Sequence, residues 1–301
     1  MHRATNDAWP ALQYEEFSPT ARLLHMGLQA VGKLTLLRPF EPEWANVALA
    51  LTTRGLATGL VPWQGGAFEV EADLVAHEVR CSTTWGRSGG FALRPMSVAD
   101  FHRALLGALR GAGVEVSVNT RPQEVPEPVP FDQDTEARPY DRVLAQAWWR
   151  VLVSVHEVLE RYHARFRGKT QPIGFMWGTF DIRDVRYSGR PVPEAASMGY
   201  IRRNAMDEEL VEAGWWTGSP TYPRPAFYSF TWPKPAGIEQ AALPSKARWD
   251  GAMGEFLLDY EDLRAARNPG EELLAFFESS YEAGATRAGW PQGLVGAARP
   301  A

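Results

Sequence analysis

Apolar side chains along this chain keep helical spacing in four stretches and alternate with polar ones in segments between them. Leu23, Leu24, Leu28, Val31 and Leu34 recur at helical spacing behind Ser18-Pro19, a cap with proline in the first turn, and predict a helix over about 19–33. From Val47 to Leu93 the period falls to two. VALALTT, LATGLVP, AFEVEADL and EVRCSTT are short runs separated by RG, GG and AH and ending in GGFAL, the pattern of an antiparallel meander. Ser97 opens a second helix that stops at GAG, and VEVSV reads as a further strand.

Residues 120–139 hold five prolines and few apolar residues, the composition of an extended crossing segment. Asp141 then caps the longest helix, with Leu144, Trp148, Val151, Val155, Val158, Tyr162 and Phe166 as its buried stripe. Strand-like IGFMWGTFD, DVRYS, AFYSFTW and EFLLDY follow, with a mixed MDEELVEAGWW, before a last helix, GEELLAFFESSYEAGA. The expected fold class is α+β: antiparallel sheets with packed helices, in an N-terminal half (1–119), the crossing segment (120–139) and a C-terminal half (140–301) packed on the first. Both halves read helix, strands, helix, and both first helices are expected to end in Gly-Lys, at Gly32-Lys33 and Gly168-Lys169. An internal repeat and ordinary helix-end chemistry explain that coincidence equally well.

Composition narrows the class. With 45% hydrophobic and 22% charged residues and a net charge of −5, the chain falls in the globular range, and its acidic balance offers no general attraction for nucleic acid. No segment approaches the roughly 18 to 20 apolar residues of a membrane span, and Met1 to Phe17 has no signal-like run, so a cytoplasmic address is expected. The single cysteine, Cys81, excludes an intrachain disulfide and reads as a packed, inert thiol. Twelve tryptophans are the strongest compositional feature.

Candidate chemistry is spread over several segments. Gly27 to Lys33 matches GxxxxGK, but Leu34 stands where a magnesium-binding hydroxyl belongs and the glycines lie inside a helix, so no nucleotide site is expected. Arg22, His25 and Gln29 share a helix face that could face an anion or merely solvent. His156, Glu160 and His163 have metal-like spacing, yet the second half of a di-iron motif is absent, and no metal site is expected. Strand period puts Glu69, Glu71 and Asp73 on one face, which is either the wet side of a sheet or a carboxylate wall. The densest cluster is Phe175 to Arg190, where strand alternation would set Trp177, Thr179 and Asp181 on one side with Arg186 and Arg190 near a Ser-Gly turn. Aromatic walls with a carboxylate and guanidinium groups suit a small polar ligand. Trp215, Trp216, Tyr228 and Trp232 could complete those walls, whereas Trp148 reads as core.

These segments, in order, resemble the family of domain of unknown function 5996: Leu24-His25 with Gln29 and Gly32-Lys33, Thr53 to Leu56 with Thr58, Phe175 to Arg190, Ala213 to Trp216, Pro225 to Ser229, and Glu255-Phe-Leu-Leu. The resemblance spans about residues 9 to 290. It implies a histidine near the position of Asp207 and a His- or Trp-rich segment near 43–46, where this chain reads MDEE and EWAN. A second resemblance, carried by no single residue, is to the enzymes of azinomycin-type pathways that close an aziridine ring by eliminating sulfate.

That resemblance implies a cofactor-independent enzyme acting on a small anionic amine-bearing substrate. Asp181, Glu71 and His25 are its expected catalytic groups. Arg54, Glu69, Asp73, Trp177, Arg186, Arg190 and Tyr228 are its expected substrate contacts. No cofactor, nucleic acid or membrane is expected as a partner, while a partner subunit or a second copy stays open. The rival reading is a non-catalytic binding or assembly protein whose tryptophans form an interface.

Overall fold

The structure is a computed structural model that describes residues 8–244 and 246–295. Helix α1, Tyr14–Gly32, begins five residues before Pro19 and passes into a 3-10 turn at Lys33–Leu37. Ser18-Pro19 thus lies within the helix and does not cap it. Six short antiparallel strands follow, β1 Ala50–Leu51, β2 Gly55–Ala57, β3 Val61–Trp63, β4 Gly66–Asp73, β5 Glu78–Thr83 and β6 Ser88–Ala92. They form a sheet in the order β1-β2-β4-β5-β6, with β3 folded back on β4, which is the expected meander. Phe68, Val70 and Ala72 of β4 are buried and Glu69 and Glu71 are half-exposed, as a period of two requires.

Strand β7, Met96–Ser97, leads into helix α2, Val98–Gly111, where Ser97 caps by accepting from the Asp100 amide. VEVSV joins no ladder. Its alternation is nevertheless real, because Val114 is fully buried and Val116 and Val118 pack against the core while the residues between them are exposed. Alternation reports a buried side, and a strand also needs a neighbouring backbone to pair with. The crossing segment carries β8, Ala137–Arg138, paired to β7.

Helix α3, Arg142–His163, is capped by Asp141, whose carboxylate accepts from the Val143 and Leu144 amides. Its stripe is buried from Trp148 to Tyr162. The helix stops before Gly168, so the two Gly-Lys pairs differ in role. Lys33 is buried with its amine pushed down to about 8 by desolvation, while Lys169 bridges Glu43 and Glu208 at 2.6 and 2.7 Å.

The second sheet contains β9 Lys169–Thr170, β10 Gly174–Met176, β11 Asp181–Pro191, β12 Glu208–Trp216, β13 Ala226–Trp232, β14 Arg248–Asp250 and β15 Glu255–Asp259. Its order is β10-β11-β12-β13-β15-β14, all antiparallel, with β9 against β11. Short helix α4, Tyr200–Ala205, interrupts the chain between β11 and β12. Helices α5, Tyr260–Arg264, and α6, Pro269–Arg287, close the chain, and α3 and α6 pack on one face of this sheet. A two-way backbone bridge, Leu49 with Phe175 at 2.9 Å each way, ties the first sheet region to β10. One hydrophobic cluster runs from Trp9 to Trp290 through both sheets and α1, α2, α3 and α6.

Two glycines of α1 work by close approach. A Cβ on Gly27 would meet the ring of Phe101, and one on Gly32 would fall inside the indole of Trp177, whose Nε1 is held by the Val47 carbonyl at 2.9 Å. We expect Gly32→Ala to destabilise the protein by about 1–3 kcal/mol through overpacking. Gly107→Ala, in α2 with nothing within 4 Å of a new Cβ, is expected to stabilise it by roughly 0.5–1 kcal/mol. Urea denaturation of the two variants checks both signs.

Candidate active site

Cross-strand register decides which side chains of the second sheet share a face. Asp181 pairs with Trp216, Arg183 with Gly214 and Gly214 with Tyr228, Val185 with Glu212 and Glu212 with Phe230, and Tyr187 with Leu210 and Leu210 with Trp232. Paired residues point to the same side. Ile182, Asp184, Arg186, Trp215 and Phe227 point to the other, toward α3 and α6. The first side floors a cavity of about 1180 Å³. Its roof is the 3-10 turn Pro42–Trp44 with α4, locked by Trp44 Nε1 donating to the Ile201 carbonyl at 3.0 Å; Gln123 and Glu124 of the crossing segment close one side. The roof is also tied to the floor, because Trp232 Nε1 donates to the Met206 carbonyl at 3.0 Å.

At the Asp181 end the floor gathers ionisable groups. The Tyr228 hydroxyl donates to Asp181, and Thr179 donates to the other oxygen of the same carboxylate. Tyr228 Oη also lies 3.1 Å from Glu212 Oε1. A phenol has one proton, so both contacts become full hydrogen bonds when one of the two carboxyls is protonated and donates to the phenolic oxygen. Burial raises the Glu212 carboxyl to about 7 against the pull of Arg183, whose Nε stands 3.5 Å from Glu212 Oε2. Burial, then repulsion from Glu212 and Asp181, likewise raises Glu255 to about 7. Asp181 is raised by burial despite its two hydroxyl donors, and burial lifts Tyr228 far above an ordinary phenol. Near neutrality the result is a proton-sharing line from Glu212 through Tyr228 to Asp181.

Gly214 makes this line possible. A Cβ there would collide with the hydroxyl end of Tyr228 and with the Ile182 carbonyl, so the bare backbone leaves the space through which the phenol reaches both carboxyls. The Asp181 end is held from below by the turn Trp177–Phe180. Phe180 adopts a left-handed φ of 64°, stabilised by stacking on Trp148 at 5.1 Å and by an edge contact with Phe175 at 5.3 Å. His25 Nε2 donates to the Gly178 carbonyl at 2.9 Å. Gln29 clasps Gln123 through both backbone groups, at 2.8 and 2.7 Å.

Of the residues singled out from the sequence, Trp177, Thr179, Asp181, Trp216, Tyr228 and Trp232 line the cavity, whereas Trp215 does not. Trp177 and Thr179 reach it from a tight turn, because the expected continuous strand over 173–181 is a hairpin of β10 and β11. His25 sits one layer below, supporting the turn, and burial lowers its imidazole to about 4, so it is neutral at physiological pH. Arg54 pairs with Asp73 in the first sheet, and Glu71 accepts from Thr52 at 2.6 Å; these three and Glu69 are not cavity-lining residues. Arg186 lies on the helix side of β11, 3.4 Å over the Tyr162 ring and 4.2 Å from that of Tyr281. Arg190 joins Glu209 and the Ala288 carbonyl at the sheet end. His163 binds Asp184 at 2.6 Å and His156 lies 3.6 Å from Glu160; among the described residues no three His, Cys, Asp or Glu side chains are placed to hold a metal ion.

The residues that sequence reading passed over are Arg183, Glu212, Glu255 and Trp44. Strand parity carried a signal for the first two. Counting by twos from Asp181 reaches Arg183 and misses Arg186, and Glu212, Gly214 and Trp216 repeat that parity in LVEAGWW. Glu255 and Trp44 had no such signal, since only the folding of β15 and the roof brings them to the cavity.

A family model described as Family of unknown function (DUF5996) matches residues 9–297. No curated protein and no solved structure matches the chain.

A carboxyl whose folded value is raised favours folding most in its protonated form. Its contribution is therefore complete at pH below about 4.5 and is lost as pH rises through about 7. Glu212→Gln, which cannot ionise, is expected to raise Tm at pH 8.5 and to leave it nearly unchanged at pH 4.5. Differential scanning calorimetry at the two pH values tests this. An equal shift at both would mean that Glu212 titrates normally.

Proposed function

We propose that this chain, which belongs to the DUF5996 family, is a small-molecule enzyme that binds an amine-bearing substrate in the cavity and moves protons with Asp181, Tyr228 and Glu212. The observation that carries the reading is the single Tyr228 hydroxyl shared by two carboxyls, the buried Asp181 and the half-buried Glu212, the second raised to about 7. Groups poised near neutrality can both accept and return a proton, which is what general acid–base work requires. The charge balance at the floor favours a cation. Asp181, Glu212, Glu255 and Glu124 outnumber Arg183 and the Arg202 that acts on Glu124, so an ammonium group relieves repulsion that otherwise keeps protons on the carboxyls.

In such a site an ammonium substrate gives one proton to a carboxylate and becomes a nucleophilic amine. On attack, nitrogen forms a bond to carbon and the bond from that carbon to its leaving group breaks, with the electron pair departing on the leaving group. The second nitrogen proton passes to the carboxyl system, with Tyr228 able to relay it. The finer form of this chemistry is the closure of an aziridine with loss of sulfate, and it rests on the resemblance noted in the sequence. It asks for a cationic donor beside the departing anion. Arg183 is the guanidinium next to the carboxyls, and Arg54, Arg186 and Arg190 stand elsewhere.

The test is to incubate the protein with 2-aminoalkyl sulfate monoesters and follow inorganic sulfate and cyclised amine by mass. Turnover is expected to rise with pH through about 7, and Asp181→Asn and Glu212→Gln should each lower kcat/KM by about 10²-fold or more. If no amine sulfate turns over and neither variant alters amine affinity, the acid–base reading fails and a non-catalytic binding role replaces it.

A further inference from the structure

Four of the seven methionines, Met176, Met198, Met206 and Met253, line the cavity. Thioether chains are flexible and polarizable and adapt to irregular apolar surfaces, which suits a wall that receives a hydrocarbon body. A second observation points the same way. Val185, Tyr187 and Leu210, with Phe230 and Trp232 packed on them, form an apolar cluster separate from the main core. Tyr187, Leu210, Phe230 and Trp232 line the same cavity, with Phe230 and Trp232 only half-buried. Apolar surface left beside an open space gains stability from any apolar body that covers it.

This cluster and the carboxyls occupy opposite ends of one sheet face. Asp181 and Tyr187 are six strand steps apart, about 20 Å. Carboxylates thin out along that path, and Arg38, half-buried in the lining, spends its guanidinium on the Leu60, Asn46 and Thr58 carbonyls. Glu43, which lines the cavity, is neutralised by Lys169 at 2.6 Å, and the Lys169 ammonium lies 4.9 Å over the Tyr187 ring. Arg202 and Lys234 are exposed side chains of the lining. A cavity of about 1180 Å³ is larger than most small-ligand sites and exceeds what a short amine fills.

We propose that the substrate class is an amphiphilic amine, an ammonium head on an extended alkyl or aryl body. The head sits at Asp181, Glu212 and Glu255, and the body lies along β11 to β13 toward Leu210, Phe230 and Trp232. The head's position rests on the acid–base reading above; the body's does not.

The experiment titrates the full chain at pH 8 with n-butylamine, n-hexylamine and n-octylamine, and with the alkanols of the same lengths, following intrinsic tryptophan fluorescence. Affinity for the amines is expected to rise at least tenfold from butyl to octyl, each added CH₂ being able to contribute up to about fourfold. Each alkanol should bind at least tenfold more weakly than its amine. Phe230→Ala should flatten the dependence on chain length, while Glu212→Gln should weaken all amines and preserve it. Less than a threefold gain from butyl to octyl overturns the proposal and leaves the acid–base reading standing. Alkanols that bind as tightly as amines overturn the ammonium head, and with it that reading. Should Phe230→Ala fail to fold by circular dichroism, the wild-type series alone decides.

Discussion

Two carboxyl groups within reach of one phenolic hydroxyl in a partly desolvated cavity cannot both ionise at low cost. Asp181 and Glu212 stand in that relation to Tyr228, with Glu255 adding to the repulsion. Water would quench the effect by solvating each charge separately. The roof of Pro42–Trp44 and α4 limits that water, and Arg183 limits the repulsion without removing it. The protonation of the cavity floor and the expected pH dependence of stability both follow from this one arrangement.

Much of the surrounding fold serves to hold those groups where they are. The back face of β11, β12 and β13 is pinned by Trp215, Phe227 and the buried stripe of α3, which fixes the pleat and leaves the front face free for polar work. Gly214 gives up a side chain so that Tyr228 can reach, and Gly32 gives up one so that Trp177 can wall the cavity. The left-handed Phe180 costs backbone strain that its contacts with Trp148 and Phe175 offset. His25 and Gln29, polar residues buried on α1, spend their hydrogen bonds on the turn and the crossing segment. They support the site without lining it.

The tryptophans divide by location. Trp148 and Trp215 are fully buried in the main core, whereas Trp44, Trp177, Trp216 and Trp232 wall the cavity. Trp148 was legible as core because helical spacing identifies a buried stripe. Trp215 and Trp216 are adjacent in sequence and face opposite sides of β12, so composition and neighbourhood could not separate them.

Local patterning alone determined the α+β class, the meander, the caps at Ser97 and Asp141, the long buried helix, and the gathering of Trp177 and Asp181 near a polar cluster. Those features depend on spacing along the chain, because backbone hydrogen bonding and side-chain period are short-range. Tertiary structure decided the rest. Glu69, Glu71 and Asp73 read as a possible carboxylate wall, with Arg54 as a substrate contact, yet Arg54 closes on Asp73 within the first sheet, and none of the four lines the cavity. Asp181, Glu212 and Glu255 come from three strands separated by dozens of residues and meet only through the registers of β11, β12, β13 and β15. Arg186 was expected to share a pocket with Asp181 and lies behind the sheet, because five steps along a strand reverse the face. Electrostatic coupling falls off with distance in space and takes no account of separation along the chain, so the carboxyl cluster that organises this site could be known only after the sheet had formed.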